Sequence, residues 1–269
     1  MSIYAISDLH LANKENQNAL IALPEYKNDW LLLAGDIGET EDHLEFALSI
    51  LKQKFDKIIW VPGNHDLWSF PLNSKSLKGK DKYAKLVSIC HKYGVYTPED
   101  EYLIYKATTK EYCLVPILTL YDYSFKPNNV EKGKELEWAV ESGVICADED
   151  LLFPYPYSSL SEWCSIRCTY TEKRLNEIQK NIPLIIINHY PLLMELGKIY
   201  TFPRFSIWCG TTLTEKWLEE FNIEIVIYGH LHIPSTKVIK GIRHEEVSFG
   251  YPRDWSHCKN MSNHLRRIV

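Results

Sequence analysis

Five short apolar runs, each ending in a small polar cluster, constrain this chain more than any other feature. Residues 3–7 run into Asp8, Leu9 and His10, and residues 30–34 into Gly35 and Asp36. Residues 58–62 run into Gly63, Asn64, His65 and Asp66, and residues 184–187 into Asn188 and His189. Residues 225–228 run into Gly229, His230, Leu231 and His232. Runs rich in Ile, Val, Leu and Trp, bounded by Gly or Pro, predict strands buried on both faces. In open α/β sheets, sites form beyond the carboxyl ends of such strands. Five strands that each deliver Asp, His or Asn to that end therefore predict one shared site.

Helical signals fall between the strands. Thr40 predicts a cap for a helix whose first turn holds Glu41 and Asp42, with Leu44, Leu48, Leu51 and Phe55 as its apolar stripe. Residues 80–93 and 214–221 predict two more, the second capped by Thr214. Residues 102–107 with 111–120, and 236–239 with 242–248, predict hairpins. Trp30, Trp60 and Trp217 lie in apolar segments and are expected in the core. Residues 121–165 break the rhythm, being dense in aromatics and prolines with no clean period. They predict a long irregular insertion in a single domain covering 1–269, with Tyr121, Tyr123, Phe125, Tyr155 and Tyr157 lining a pocket or covering the core.

Composition excludes several classes. Thirty Lys and Arg against thirty-five Asp and Glu give a net charge of −5, which argues against a chain that binds nucleic acid stably. The N-terminus has no basic region followed by an apolar one, and no run approaches the length of a membrane span. The seven cysteines are scattered and form no CxxC pair, which predicts reduced thiols in a cytoplasmic protein.

Asp8, His10, Asp36, Asn64, His189, His230 and His232 supply carboxylate, imidazole and amide oxygen donors. That mixture suits first-row divalent ions, and seven ligands exceed what one four-coordinate ion takes. Two ions roughly 3.5–4 Å apart can share an activated water and stabilise both oxygens of an in-line displacement. His43, His91, His244, His257 and His264 belong to no motif and are expected to be structural or on the surface.

In their order, Asp8-x-His10, Gly35-Asp36, Gly63-Asn64-His65-Asp66, an isolated His189 and Gly229-His230-x-His232 resemble the motifs of the calcineurin-like metallophosphoesterases. The resemblance implies a four-layer αββα sandwich of two mixed β-sheets flanked by helices, with a dinuclear site at the strand ends. It assigns Asp8, His10, Asp36 and His232 to one ion, and Asp36 (as the bridge), Asn64, His189 and His230 to the other. Mn2+ is the first expectation, with Fe, Zn or Mg as alternatives. His65 would protonate the leaving oxygen rather than bind metal, oriented by Glu39 or Asp66. The latter suits a structural acceptor better. Arg204 and Arg253, on loops after the last two motifs, are candidates to contact phosphate oxygens.

The implied activity is hydrolysis of a phosphate ester by in-line attack of a hydroxide held between the ions. The chain lacks the Asp-Arg-Gly that follows the GD motif in phosphoprotein phosphatases, and it keeps His65 where lipid A pathway relatives carry Arg. A small phosphodiester or a nucleotide is therefore the expected substrate. A catalytically silent protein-binding scaffold on the same fold is the competing class. No segment predicts an oligomeric state.

Overall fold

The computed structural model describes residues 1–70, 76–255 and 260–269. His257 and Cys258 lie outside those residues. The chain begins with β1 (Ile3–Ile6), α1 (Lys14–Ile21), β2 (Tyr26–Ala34), α2 (Glu41–Lys54), β3 (Phe55–Val61) and α3 (Gly79–Lys92). There follow β4 (Leu103–Lys106), β5 (Glu111–Pro116), α4 (Glu135–Val140), α5 (Asp148–Leu151), α6 (Leu160–Asn176) and β6 (Leu184–Ile187). The last part holds α7 (Trp217–Glu220), β7 (Ile223–Tyr228), β8 (Ser235–Ile239), β9 (Ile242–Glu246) and β10 (Arg266–Arg267).

Among the described residues these strands form two mixed sheets, ordered β10-β1-β2-β3 and β4-β5-β6-β7-β9-β8. Strands β1, β2 and β3 are parallel, as are β5, β6, β7 and β9, while β10, β4 and β8 run antiparallel at the edges. Both predicted hairpins are present as β4–β5 and β8–β9.

Side-chain alternation builds the layers. Along β2, Trp30, Leu32 and Ala34 join Ile185, Ile187, Ile225 and Ile227 of the other sheet in one core between the sheets. The alternate residues Leu31 and Leu33 belong to an outer core with Leu44, Leu48 and Leu51 of α2. The result is the expected αββα sandwich. Trp30, Trp60 and Trp217 are all buried.

Two local expectations need correction. Thr214 does not cap a helix, because its hydroxyl donates to the Leu192 and Thr211 carbonyls. A 3-10 turn over Thr212–Thr214, capped by Thr211, precedes the single turn of α7. The segment 121–165 is not wholly irregular, since it holds α4 and α5 and the start of the seventeen-residue α6. Of its aromatics, Tyr121 and Phe125 are fully buried, Tyr123 and Tyr157 pack against the outer core, and Tyr155 is exposed. His244 is buried inside the sheet, the structural one of the two places expected for it.

The loops after β2 and β3 are held together by one side chain. Asp66 Oδ2 accepts the amides of Asp36 (2.8 Å) and Gly63 (2.9 Å), and Oδ1 accepts those of Ile37 (3.0 Å) and Gly38 (3.2 Å). Burial pushes its carboxyl up to about 6 against the pull of these amides. Asp66→Asn would turn an NH2 group towards two of the four donors and leave them without an acceptor. We expect a loss of about 3 kcal/mol, read as a lower urea midpoint at unchanged slope. A loss below about 1 kcal/mol would contradict the bracing role.

Candidate metal centre

All five loops carrying the sequence motifs meet at the carboxyl ends of the parallel strands, three from one sheet and two from the other. The sheets are joined there by a parallel bridge between Ser7 and Ser248. The Asp8 amide donates to the Gly35 carbonyl (2.9 Å) and the His10 amide to the Asp36 carbonyl (3.1 Å), which locks the first two loops together.

Backbone conformation at these tips is unusual. Asp8, His10, Asp36, His230 and His232 all have φ between 42° and 72°. L-residues visit that left-handed region at a cost, and such residues concentrate at functional sites. The neighbouring glycines have a steric cause. A Cβ on Gly63 would overlap Asp36 Oδ1, and one on Gly229 would overlap Asp8 Oδ2. Gly35 has φ +89°, and a Cβ there would meet His189 Nδ1 at 2.6 Å.

Two groups of donor atoms converge. In the first, His10 Nε2 lies 3.0 Å from His232 Nε2, and Asp8 Oδ1 lies 3.2 Å from His232 Nε2 and 3.8 Å from His10 Nε2. In the second, Asn64 Oδ1 lies 3.1 Å from His189 Nε2 and 3.2 Å from His230 Nδ1. Those two ring nitrogens are 3.3 Å apart, and Asp36 Oδ2 is 3.5 Å from His189 Nε2. Ligands on one tetrahedral ion with bonds near 2.0–2.1 Å sit about 3.3 Å from each other. Asp36 stands between the groups, its ligand atoms clustering with those of His10 and His65 on one side and of Asp8 and His189 on the other.

Outer partners aim these atoms. Asp8 Oδ2 accepts from Ser7 Oγ and the His230 amide, which leaves Oδ1 for the cleft. His189 Nδ1–H donates to the Ala34 carbonyl (2.9 Å), so Nε2 presents a lone pair. Asp254 Oδ2 takes His232 Nδ1–H at 3.1 Å, and Tyr251 stacks on His10 at 4.3 Å. Asp8 is fully buried and Asp36 nearly so. Burial and the neighbouring Asp8 and Asp66 carboxylates drive Asp36 well above the ordinary carboxylate range. Burial would also raise Asp8, but the facing His232 together with His189 and His10 outweighs it and holds that carboxyl low. Burial lowers His10, His189 and His230, favouring the neutral imidazoles that a metal requires. For His232 burial is overcome by Asp8 and Asp254, which raise it to about 9. Crowded neutral imidazoles and two buried carboxylates fit divalent cations well.

His65 lies beside this cluster. Its ring stacks on Trp68 at 3.6 Å, with Nε2 3.9 Å from Asp36 Oδ2 and Nδ1 3.9 Å from Glu39 Oε1. Of the two carboxylates considered for orienting it, Glu39 faces the ring, and its own carboxyl is held low by His65. Asp66 is turned away, its oxygens occupied by four backbone amides. His65, Trp68, Tyr251 and Arg253 line a cleft of about 560 Å3 with Phe202 and Phe205. Arg253 is exposed at its edge, 5.0 Å above the Tyr251 ring. Arg204 is not in the cleft. It stacks on Trp138, donates to the Trp138 carbonyl and pairs with Glu141 at 3.1 Å beside a separate cavity.

Four residues with no motif complete the site: Trp68, Asp148, Tyr251 and Asp254. Sequence pattern gave little reason to single them out, since Asp148 sits in an acidic triplet that reads as a solvated helix start. Asp254 directly follows Arg253 and was reachable from there.

The calcineurin-like phosphoesterase family model matches residues 1–234. A protein of Mycobacterium tuberculosis named [acyl-carrier-protein] phosphodiesterase PptH is 40% identical over 270 residues, covering 100% of this chain and 83% of that protein. A crystal structure titled phosphopantetheinyl hydrolase (PptH), from the same organism, superposes with a TM-score of 0.94 at 39% identity, covering 100% of this chain and 95% of the other. The uncharacterized protein L509 of Acanthamoeba polyphaga mimivirus is 24% identical, covering 96% of this chain and 92% of that protein.

The steric role of Gly63 is directly testable. Gly63→Ala forces Asp36 away from both donor groups, and we expect elemental analysis to show a fall from two ions per chain to one or none. Full metal content in that variant would contradict the shared position of Asp36.

Proposed function

This chain belongs to the calcineurin-like phosphoesterases, metal-dependent hydrolases of phosphoric esters, and from that premise we propose that it cleaves the phosphodiester joining 4′-phosphopantetheine to a serine of an acyl carrier protein. The convergence of two donor groups on Asp36 carries the hydrolytic reading. Likeness to PptH over the full length carries the substrate. The cleft rim adds support, because Ile145, Phe202 and Ile233 are large apolar side chains left exposed around it. Such a rim suits a protein-borne substrate better than a nucleotide.

In this reading Asp8, His10, Asp36 and His232 hold one divalent ion, and Asp36, Asn64, His189 and His230 the other. Mn2+ is our first choice for a mixed oxygen and nitrogen donor set, with Fe, Zn or Mg as alternatives. Such ions, when bound, lower the pKa of a water and neutralise phosphoryl charge. His65 hands a proton to the serine oxygen as the bond from phosphorus to that oxygen breaks, while phosphorus gains the oxygen of water. Glu39 faces the His65 ring and keeps it turned to the cleft. Arg253, exposed at the edge beside Asp254 and Tyr251, meets phosphate oxygens or acidic groups of the carrier. The segment 121–165, in our reading an insertion within a single domain, shapes the wall through Ile145, Cys146 and Ala147. No helix among the described residues is long and apolar enough to cross a membrane. The six described cysteines are all free thiols, which supports our assignment to the cytoplasm.

The test is purified protein with Mn2+ and phosphopantetheinylated carrier, followed by intact mass spectrometry of the carrier. We expect loss of the prosthetic group, abolished by a chelator or by Asp36→Asn. His65→Ala is expected to lower kcat about 10²–10³-fold. An intact carrier together with cleavage of bis(p-nitrophenyl) phosphate would overturn the substrate and favour a small diester. No cleavage of either by the metal-loaded protein would overturn phosphodiester hydrolysis.

A further inference from the structure

We propose that Asp148, a residue outside every motif, is a positioning residue that sets the orientation of Asn64 and the placement of His65 through a single oxygen atom. The inference rests on the roles assigned above to those two residues.

Asp148 opens α5 and is fully buried. Its Oδ1 accepts Asn64 Nδ2–H at 2.9 Å and Trp68 Nε1–H at 2.6 Å. Its Oδ2 has no partner among the described residues. A carboxylate removed from water and given only two donors costs stability unless it serves something.

The first service is to Asn64. The two ends of a side-chain amide are nearly equal in size and opposite in chemistry: the oxygen can ligate a cation and the NH2 cannot. Asn64 Oδ1 points at His189 Nε2 and His230 Nδ1. Nothing in the shape of an amide prevents the flipped orientation. A carboxylate can only accept, so Asp148 fixes the NH2 end on itself and delivers the oxygen to the donor group.

The second service is to His65. An indole N–H is a donor only, and the same Oδ1 holds Trp68 by it. The indole plane then lies against the His65 ring at 3.6 Å and 29°. The ring that donates the proton is thereby pinned to the same atom that orients a metal ligand. Asp148 has no exposed surface, so it cannot touch substrate. It acts through its two partners, which distinguishes it from a catalytic residue.

Three variants separate this from a plain packing role. Asp148→Asn keeps one oxygen able to accept both hydrogen bonds, so metal affinity and stoichiometry are expected to stay within a few-fold of wild type. Asp148→Leu removes both, and we expect Mn2+ affinity to fall about 10–100-fold, with bound metal dropping towards one ion per chain. Trp68→Phe keeps a stacking ring and frees only the indole link. It should leave metal content unchanged and lower kcat about tenfold or more on the serine ester of the carrier, but by a clearly smaller factor on bis(p-nitrophenyl) phosphate, whose leaving group needs no proton. The metal measurements use no substrate, so failure of the wild type on the carrier would overturn the substrate assignment and leave this half standing. Should Asp148→Leu not fold, the Asp148→Asn and Trp68→Phe arms decide. Wild-type Mn2+ affinity in Asp148→Leu, a loss of about tenfold or more in Asp148→Asn, or an equal fall on both esters in Trp68→Phe would overturn the proposal.

Discussion

The structure depends on placing two carboxylates, Asp8 and Asp36, side by side in the joint between two sheets. Both are buried. With His189 their ligand atoms lie within 4.8 Å of one another. Two like charges at that distance repel by about 3–4 kcal/mol even at an effective dielectric of 20. The bare protein answers in part by driving Asp36 towards its neutral form and by setting a raised His232 against Asp8. Cations answer in full. Most of the surrounding detail follows from holding that arrangement together before the cations arrive: glycines that clear space, a brace at Asp66, and hydrogen bonds that leave one oxygen of each carboxylate free.

That arrangement has a conformational cost. Five of the converging residues sit in the left-handed region. Each such non-glycine residue costs of order 1–3 kcal/mol. The cost is tolerable only because the strands leading into these loops are rigid and buried on both faces. Asp66 converts four otherwise unpaired amides of two such loops into a fixed turn geometry. Tight strands and strained tips are thus one device, in which the sheets supply the stability that the tips consume.

The parts of this device that follow chain periodicity were legible in the sequence. Strand runs, glycines before ligands and the order of the motifs all reflect local necessity, and they predicted the sandwich and the converging residues. Helix α6 was hidden by its composition. Its buried face is Trp163, Cys164, Arg167, Cys168, Thr171 and Leu175, correctly spaced for a helix but too polar to read as an apolar stripe. Arg204 was misplaced for a related reason, since its phosphate-facing role was inferred from chain order while the Trp138 ring and Glu141 capture it in space. Asp148 lies eighty-four residues from Asn64, and only the folded segment 121–165 brings them together. Residues that act through other residues leave no spacing signal, because their partners are set by tertiary packing.

The division of labour in the cleft follows from the same physics. Dinuclear chemistry acts on the phosphoryl group and is indifferent to what the ester oxygens carry. Discrimination must therefore come from the walls, and here the walls come from segments that follow no family motif: the stretch around Ile145, the stretch around Phe202, and the loop carrying Tyr251 and Arg253. One of these segments also holds Asp148, which reaches back under the wall to Asn64 and Trp68. A change in the segment 121–165 can then alter the chemistry as well as the fit. Cleft wall and metal floor are mechanically one piece, so a relative that replaced the segment 121–165 to accept another ester would have to supply a new anchor for Asn64 and for the ring beneath His65.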